Sequence, residues 1–282
     1  MKEAALGEHR DPFIETVREP FDRRYGLDGT DRNFVTALAR GFDVLRAFQT
    51  QPGDLTNSDF SRITGLSKPT VSRLTYTLWR LGYLEQAGRR YRLTPALLSL
   101  AYPVLSSQPG RQAVHEKLAE LAHQTQCNVA LSVPSSDGIN MVYLDCFNAS
   151  SVNTLHTDIG MRLRIAKTSA GRAYLSGLGE KERGEKISTL EHFYGERWPS
   201  ILPRIEAAQE EIRTRGFCIV NGEWLKDTRA VATPLLPKPG GQAYALSCGG
   251  PSFAVSIERL EQELGPRLLH VARSIEPLLR QY

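Results

Sequence analysis

The side chains best placed to do chemistry in this chain lie between positions 67 and 92, and they are donors suited to a polyanion. Ser72, Arg73 and Tyr76 fall opposite Val71, Leu74, Leu78 and Leu81, which recur at helical spacing. Lys68 and Thr70 stand at the exposed N-terminal end of the same segment. A short, polar and basic helix face of this kind suits hydrogen bonding to base edges and phosphates in a major groove. Arg89, Arg90 and Arg92 follow at or beside a turn, where a basic tip can reach phosphate or the minor groove. A solvated arginine-rich turn is the plainer alternative for these three. Hydrolytic, metal and phosphate-loop signatures are missing: no GxSxG, HExxH or paired-carboxylate signature supports an enzyme.

The elements that must position these donors are legible around them. Thr56 is a natural N-cap, and Asp59 three residues later completes a capping-box-like pair. Phe60 and Ile63 give a short helix its apolar stripe, Gly65 supplies the left-handed backbone that ends it, and Leu66 packs beneath the turn. Ser67 is expected to cap the next helix, with Pro69 tolerated in its first turn. Residues 83–86 and 90–93 alternate as two strands around Ala87-Gly88-Arg89. Upstream, Val35, Leu38, Phe42, Leu45 and Phe48 predict a first helix over 34–50 with that face inward.

Charge follows the same division. Residues 33–105 carry nine Lys and Arg against four Asp and Glu, a net of +5, whereas residues 106–282 are nearly neutral at +1. The basic excess thus sits on the segment that would displace counterions from a phosphate backbone. The neutral remainder suits a small molecule or a protein partner. No apolar run reaches the length of a membrane span and no signal core opens the chain, so no membrane partner and a cytoplasmic location are expected. Cys127, Cys146, Cys218 and Cys248 are scattered without a CxxC, so neither a metal nor a cofactor is expected.

The chain divides into four segments on this reading. Residues 1–32 form a charged, flexible N-terminal extension. Residues 33–94 form a winged helix-turn-helix. Residues 95–110 hold a linker helix, capped by Thr94, and a Ser-Ser-Gln-Pro-Gly hinge. Residues 111–282 carry a helix over about 111–126, then strands at 128–133, 141–147 and 152–156. Helices follow near 168–178, 180–190 and 199–215, and strands at 217–220, 230–236 and 243–248. A long C-terminal amphipathic stretch follows, in which Gly265-Pro266 should bend or break the helix. Strand hairpins with helices packed on one sheet predict an α+β fold in two domains.

With these residues in view, the chain resembles the IclR family of transcriptional regulators from about Phe34 to its end. The resemblance rests on Ala39-Arg40-Gly41-Phe42-Asp43-Val44-Leu45, the run Thr64 to Leu74, Leu81-Gly82-Tyr83-Leu84 and Tyr91-Arg92-Leu93. It continues in Tyr143-Leu144-Asp145, Ile159-Gly160-Met161-Arg162-Leu163, Thr168 to Ala173, Arg215-Gly216-Phe217 and Gly249-Gly250-Pro251. It implies an N-terminal winged helix-turn-helix, a linker helix and a C-terminal GAF-like effector-binding domain, assembled as a homodimer or tetramer. It implies a ligand-responsive regulator of a metabolic, catabolic operon and no enzyme activity. Arg40, Ser67, Lys68, Thr70, Ser72, Arg73, Tyr76, Arg89 and Arg90 would face double-stranded operator DNA. Arg162, Thr168, Ser169, Ala170, Asn221, Arg229, Ala230, Ser247 and Gly249 would line an effector site, with Val220 beside them.

The turn at Thr168–Gly171 would hold the charged end of a small organic acid, because a helix start offers free N–H groups. The chain departs from the family with Arg164 and Lys167, which make the loop before that turn more cationic, and with Asp227 and Ala230 further on. Two other readings are open. An enzyme could use Ser169 with His156, the one histidine near it in sequence, although no third member presents itself. A redox or metal sensor could use Cys146, Cys218 or Cys248, which would require a lowered thiol pKa.

Overall fold

The computed structural model describes residues 32–51, 53–106, 110–148, 157–236 and 241–279. The chain forms two compact units, Met1–Val104 and Leu105–Tyr282. The first unit begins with α1 (Thr36–Arg46), which runs on as a 3₁₀ turn through Gln49, then β1 (Leu55–Thr56) and α2 (Asn57–Thr64). α3 (Lys68–Arg80), β2 (Leu84–Ala87), β3 (Arg90–Leu93) and α4 (Ala96–Ser106) follow. The start of α2 is fixed locally. Asp59 N–H donates to the Thr56 hydroxyl, the Asp59 carboxylate accepts from Thr56 N–H, and the pair closes as a capping box. Such a cap contributes about 1 kcal/mol. Gly65 ends the helix at φ 73°, and the Ser61 hydroxyl donates to Leu66 C=O at 2.6 Å across the turn.

Four local expectations are corrected in this unit. Ser67 takes the N-cap backbone position, but its hydroxyl pairs with that of Thr70 at 2.9 Å and caps no N–H. The Thr94 hydroxyl donates back to Gly82 C=O and, among the described residues, accepts from no N–H of the linker helix. Leu81 lies just beyond α3 and is exposed; the inward face is completed by Thr75, whose hydroxyl reaches the Val71 carbonyl. Val35, Leu38 and Phe42 are also exposed, at 62%, 62% and 50%, while Val44 and Ala47 enter the core. Periodicity marks an apolar helix face, yet the neighbours available within the unit cover only its C-terminal half.

Around Phe60 that core is well built. Phe60 is fully buried, edge-on to Phe48 at 5.3 Å and tilted against Tyr91 at 6.2 Å, with Leu55, Val71 and Leu84 in the same cluster. The small sheet runs β1-β3-β2, antiparallel throughout, and the pairing Ala87↔Arg90 leaves Gly88-Arg89 as the wing tip. β1 is too short to announce itself by alternation; its pairing with β3 ties the capping box to the wing.

The second unit opens with α5 (Arg111–Thr125), β4 (Asn128–Pro134), β5 (Asn140–Phe147) and β6 (Arg162–Arg164). A 3₁₀ turn (Ile165–Lys167) leads to α6 (Ser169–Gly177), α7 (Glu180–Tyr194) and α8 (Trp198–Arg215), then β7 (Cys218–Asn221), β8 (Thr228–Leu235) and β9 (Tyr244–Pro251). The six strands form one antiparallel sheet in the order β6-β5-β4-β9-β8-β7. α9 (Ile257–Arg259), a wide turn at Leu260–Leu264 and α10 (Gly265–Leu279) close the chain. Gly265-Pro266 does not break this stretch. A turn of i→i+5 type precedes it, Gly265 stays right-handed at φ −61°, and the proline occupies a place where a helical donor is dispensable. The strand expected at 152–156 lies outside the described residues, as does most of the 1–32 extension.

Alternation along the strands sorts the sheet into two faces. Val129 and Leu131 of β4, with Tyr244, Leu246 and Cys248 of β9, pack with residues of α5 and α10. Ala130 and Ala245, from the intervening positions, pack with α6, α7 and α8. The α+β reading therefore holds, and a cavity opens on the second of these faces.

Candidate functional site

In the first unit, α3 presents Lys68, Ser72, Arg73, Tyr76 and Thr77 to solvent, with Thr70 half-buried at the start of the row. Arg73 has no carboxylate within ion-pair distance among the described residues. Tyr76 leans on Trp79 at 5.7 Å, which fixes an aromatic edge beside the basic one. Arg40, half-buried on α1, borders the same groove as Thr70 and Arg73. On the wing the arginines are unequal. Arg90 donates to Asp54 C=O at 3.0 Å, and Arg92 lies 3.6 Å from the Asp54 carboxylate and 4.0 Å from that of Glu85. Arg89, exposed at the tip, makes no such contact among the described residues and is the least constrained cation of the wing.

The cavity of the second unit lies between the sheet and the start of α6. It has a volume of about 50 Å³. Thr168, Ser169, Ala170, Val220, Arg229, Ala230, Ser247 and Gly249 line it, as the sequence suggested. Thr168 is the N-cap of α6: its hydroxyl accepts from Gly171 N–H at 3.2 Å and donates to Arg164 C=O at 2.9 Å. The N–H groups of Ser169 and Ala170, at the first two helical positions, have no intrahelical acceptor and belong to residues that wall the cavity. Gly171 lets this turn lie against Ile165, since a Cβ there would meet the Ile165 carbonyl oxygen at 2.2 Å. The arrangement offers a carboxylate two backbone donors in a small, largely apolar chamber.

Strand alternation removes two of the expected charges, and a third goes elsewhere. Leu163 lines the cavity, so its neighbours Arg162 and Arg164 turn the other way. Arg162 pairs with Asp137 and reaches the Ser135 hydroxyl at 3.4 Å, holding the β4–β5 turn. Arg164 is buried with its guanidinium 4.7 Å from the Phe193 ring centre. Lys167 borders a separate cleft. Asn221 also turns out, next to Val220, and accepts from Arg229 Nε at 2.9 Å. Arg229 is thereby oriented, and its Nη1 donates to the carbonyls of Ser252 and Val255.

Sequence reading missed Asn128, Tyr143, Thr157, Trp224, Thr228 and Gly250 in the wall. The register Asn128↔Gly249 brings the first of these to the site from far along the chain. Burial raises the Tyr143 hydroxyl well above its ordinary range, so it remains a donor.

Cys146, Cys218 and Cys248, the thiols of the sensor reading, are poorly suited to a role that needs easily formed thiolates. Burial, helped by the nearby Asp145 and Asp158 carboxylates, pushes Cys146 up to about 11. Burial, helped by Glu211, pushes Cys218 up to about 12. Cys248 is also raised, first by its hydrogen bond with Cys127 and then by burial. Among the described residues no cluster of His, Cys, Asp and Glu could hold a metal, and no helix is long and apolar enough to cross a membrane. His156, the partner the enzyme reading requires, lies outside the described residues.

Comparison with known proteins agrees with this two-part layout. Residues 37–88 match the IclR helix-turn-helix domain, and residues 103–277 match the bacterial transcriptional regulator IclR C-terminal domain. An IclR family transcriptional regulator from Brucella abortus is 36% identical, superposes with a TM-score of 0.73, and covers 93% of this chain and 97% of its own. The Pca regulon regulatory protein of Pseudomonas putida is 28% identical over 92% of this chain and 89% of its own length. An HTH-type transcriptional regulator of Comamonas testosteroni, TsaQ1/TsaQ2, is 27% identical over 90% of this chain and 92% of its own. The chain belongs to the IclR family of transcriptional regulators.

Proposed function

We propose that this regulator binds double-stranded operator DNA through α3 and the wing, and answers to a small organic acid held in the second unit. The observation that carries the DNA reading is the row Lys68, Ser72, Arg73 and Tyr76, exposed on a helix whose opposite side is locked into a packed core. The acid reading is supported by the paired free N–H groups of Ser169 and Ala170, with Arg229, Ser247 and Gly249 beside them. Control of a catabolic operon is supported by the relative that regulates the Pca regulon. On this proposal residues 1–32 are an extension, 33–94 the DNA-binding domain, 95–110 the linker and 111–282 the effector domain. No step in it calls for catalysis.

Gel shifts with duplexes from the regions flanking its own gene test the DNA half. Arg73→Ala is expected to cost ~1–3 kcal/mol of binding to the preferred duplex if the fork reads a guanine. An equal loss on every duplex would make Arg73 a phosphate contact, and no loss would take it out of the interface. For the wing, Arg89→Ala should flatten the slope of log K against log salt by ~0.9, the value for one lost phosphate contact. An unchanged slope would leave the tip a solvated turn.

Homodimer or tetramer assembly is part of the same proposal. Besides Val35, Leu38 and Phe42, the first unit exposes Leu98 at 71%, and also Leu100, Tyr102 and Val104 of α4. An apolar area of this kind is costly to leave in water and suits a second copy of the chain. Leu98→Glu is expected to shift sedimentation toward the monomer, whereas an unchanged profile would place the contact elsewhere.

A further inference from the structure

The cations that the sequence placed near the acid do not all disperse. Lys167 joins Arg172, Arg197, Arg204, Ser200 and Glu223 around a second cleft of about 240 Å³, distinct from the first cavity in every lining residue. Arg172 is almost wholly buried, donates Nε to Ala166 C=O at 3.0 Å, and grips both oxygens of Glu223 with its two terminal nitrogens. Arg204 adds a further hydrogen bond to Glu223 at 2.8 Å. Burial works to raise the Glu223 carboxyl, and the hydrogen bonds from Arg172 and Arg204 outweigh it, so the group is held below its ordinary value and stays ionised. One carboxylate thus faces four cations. Lys167 and Arg197 have no carboxylate within ion-pair distance among the described residues, although Arg197 lies 5.9 Å from the Tyr194 ring centre.

We infer that this cleft is an anion site for a small phosphomonoester, separate from the organic-acid pocket. A carboxylate presents two oxygens and is satisfied by one guanidinium fork. Three donors from different places, Lys167 before α6, Arg197 before α8 and Arg204 nearly two turns into α8, instead match the three terminal oxygens of a phosphate dianion. Arg172 and Glu223 neutralise each other and act as the floor. The volume beyond the phosphate leaves room for an organic body of a few heavy atoms. The floor is also continuous with the first cavity, because Glu223 precedes Trp224, which walls it. Occupancy of the cleft would draw Arg204 away from Glu223 beside that wall.

The test uses the full chain, titrated calorimetrically with inorganic phosphate and with glycerol 2-phosphate at constant ionic strength. The variants are the double substitution Lys167→Gln and Arg197→Gln, whose side chains carry no ion pair of the fold, and Arg213→Gln as an exposed control elsewhere. Saturable single-site binding is expected in wild type and in the Arg213 variant, weakened about tenfold or more in the double variant by loss of two charged donors. Acetate and benzoate should not compete. Ser169→Phe should leave phosphate binding intact, so failure of the organic-acid reading and failure of this one are separately visible. Equal or unsaturable heats in all proteins would overturn the inference and leave the cations a solvated rim. Competition by benzoate would overturn it too, by making the two cavities one site.

Discussion

Phe60→Ala is expected to remove about 3–5 kcal/mol from the first unit, the usual cost of deleting a buried phenyl ring. Phe60 is fully buried between Phe48 and Tyr91, so the vacated space is bounded by a helix on one side and the wing on the other. Neither wall can close the gap easily, since Phe48 belongs to the turn after α1 and Tyr91 is held in both strand pairings of β3. Small domains bury a limited fraction of their surface, and total stability of a domain is commonly about 5–15 kcal/mol. The loss is therefore a large share of what holds α3 in place. Urea unfolding followed by circular dichroism should show the lowered midpoint, and gel shifts should show operator binding failing at temperatures where wild type still binds. A cost below about 1 kcal/mol would mean that the cluster around Phe60 is not what positions the recognition face.

Ser169→Phe is expected to abolish binding of small carboxylates, with a loss of about 100-fold or more as the ring fills the chamber. Ser169 is buried at the first position of α6, in a cavity of only about 50 Å³. The same overpacking should cost ~1–3 kcal/mol of stability, so the domain remains folded. Ser169→Ala separates the steric effect from the chemical one. The alanine keeps the backbone N–H and gives up one hydroxyl, a difference of about 1 kcal/mol. Calorimetry of both variants with acetate, succinate and benzoate reads this directly. Equal binding by wild type and the phenylalanine variant would move the acid out of this cavity.

Local signals were legible and long-range ones were not. The Thr56–Asp59 box and the Gly65 stop depend on residues three to nine positions apart, and they appear as the sequence implies. The apolar face at Val35, Leu38 and Phe42 was also legible as a face, but periodicity carries no information about what covers it, and these three side chains stay exposed among the described residues of the unit. At the cavity, nearness in sequence misled. Arg162, Arg164 and Lys167 stand just before Thr168, yet the pleat of β6 turns two of them from the side that Leu163 faces. The same parity explains why Val220 is in the wall and Asn221 is not. Trp224 comes from the connection between β7 and β8, where no pattern distinguishes a wall residue from a loop residue, and Thr228 opens β8 directly after it. Asn128 reaches the site only through its pairing with Gly249, a partner that no local rule predicts.

The measurement that most directly tests an acid-responsive operator-binding protein is the operator affinity of the full chain with and without each carboxylate, in wild type and in Ser169→Phe. Linkage requires that an acid which favours one DNA-binding state shift the affinity by its differential binding, commonly about 5–150-fold. Such a shift is expected for at least one carboxylate in wild type and for none in the variant, whose affinity for DNA alone is unchanged. An equal shift in both proteins, or no shift with any carboxylate while a neutral or cationic metabolite produces one, would contradict it.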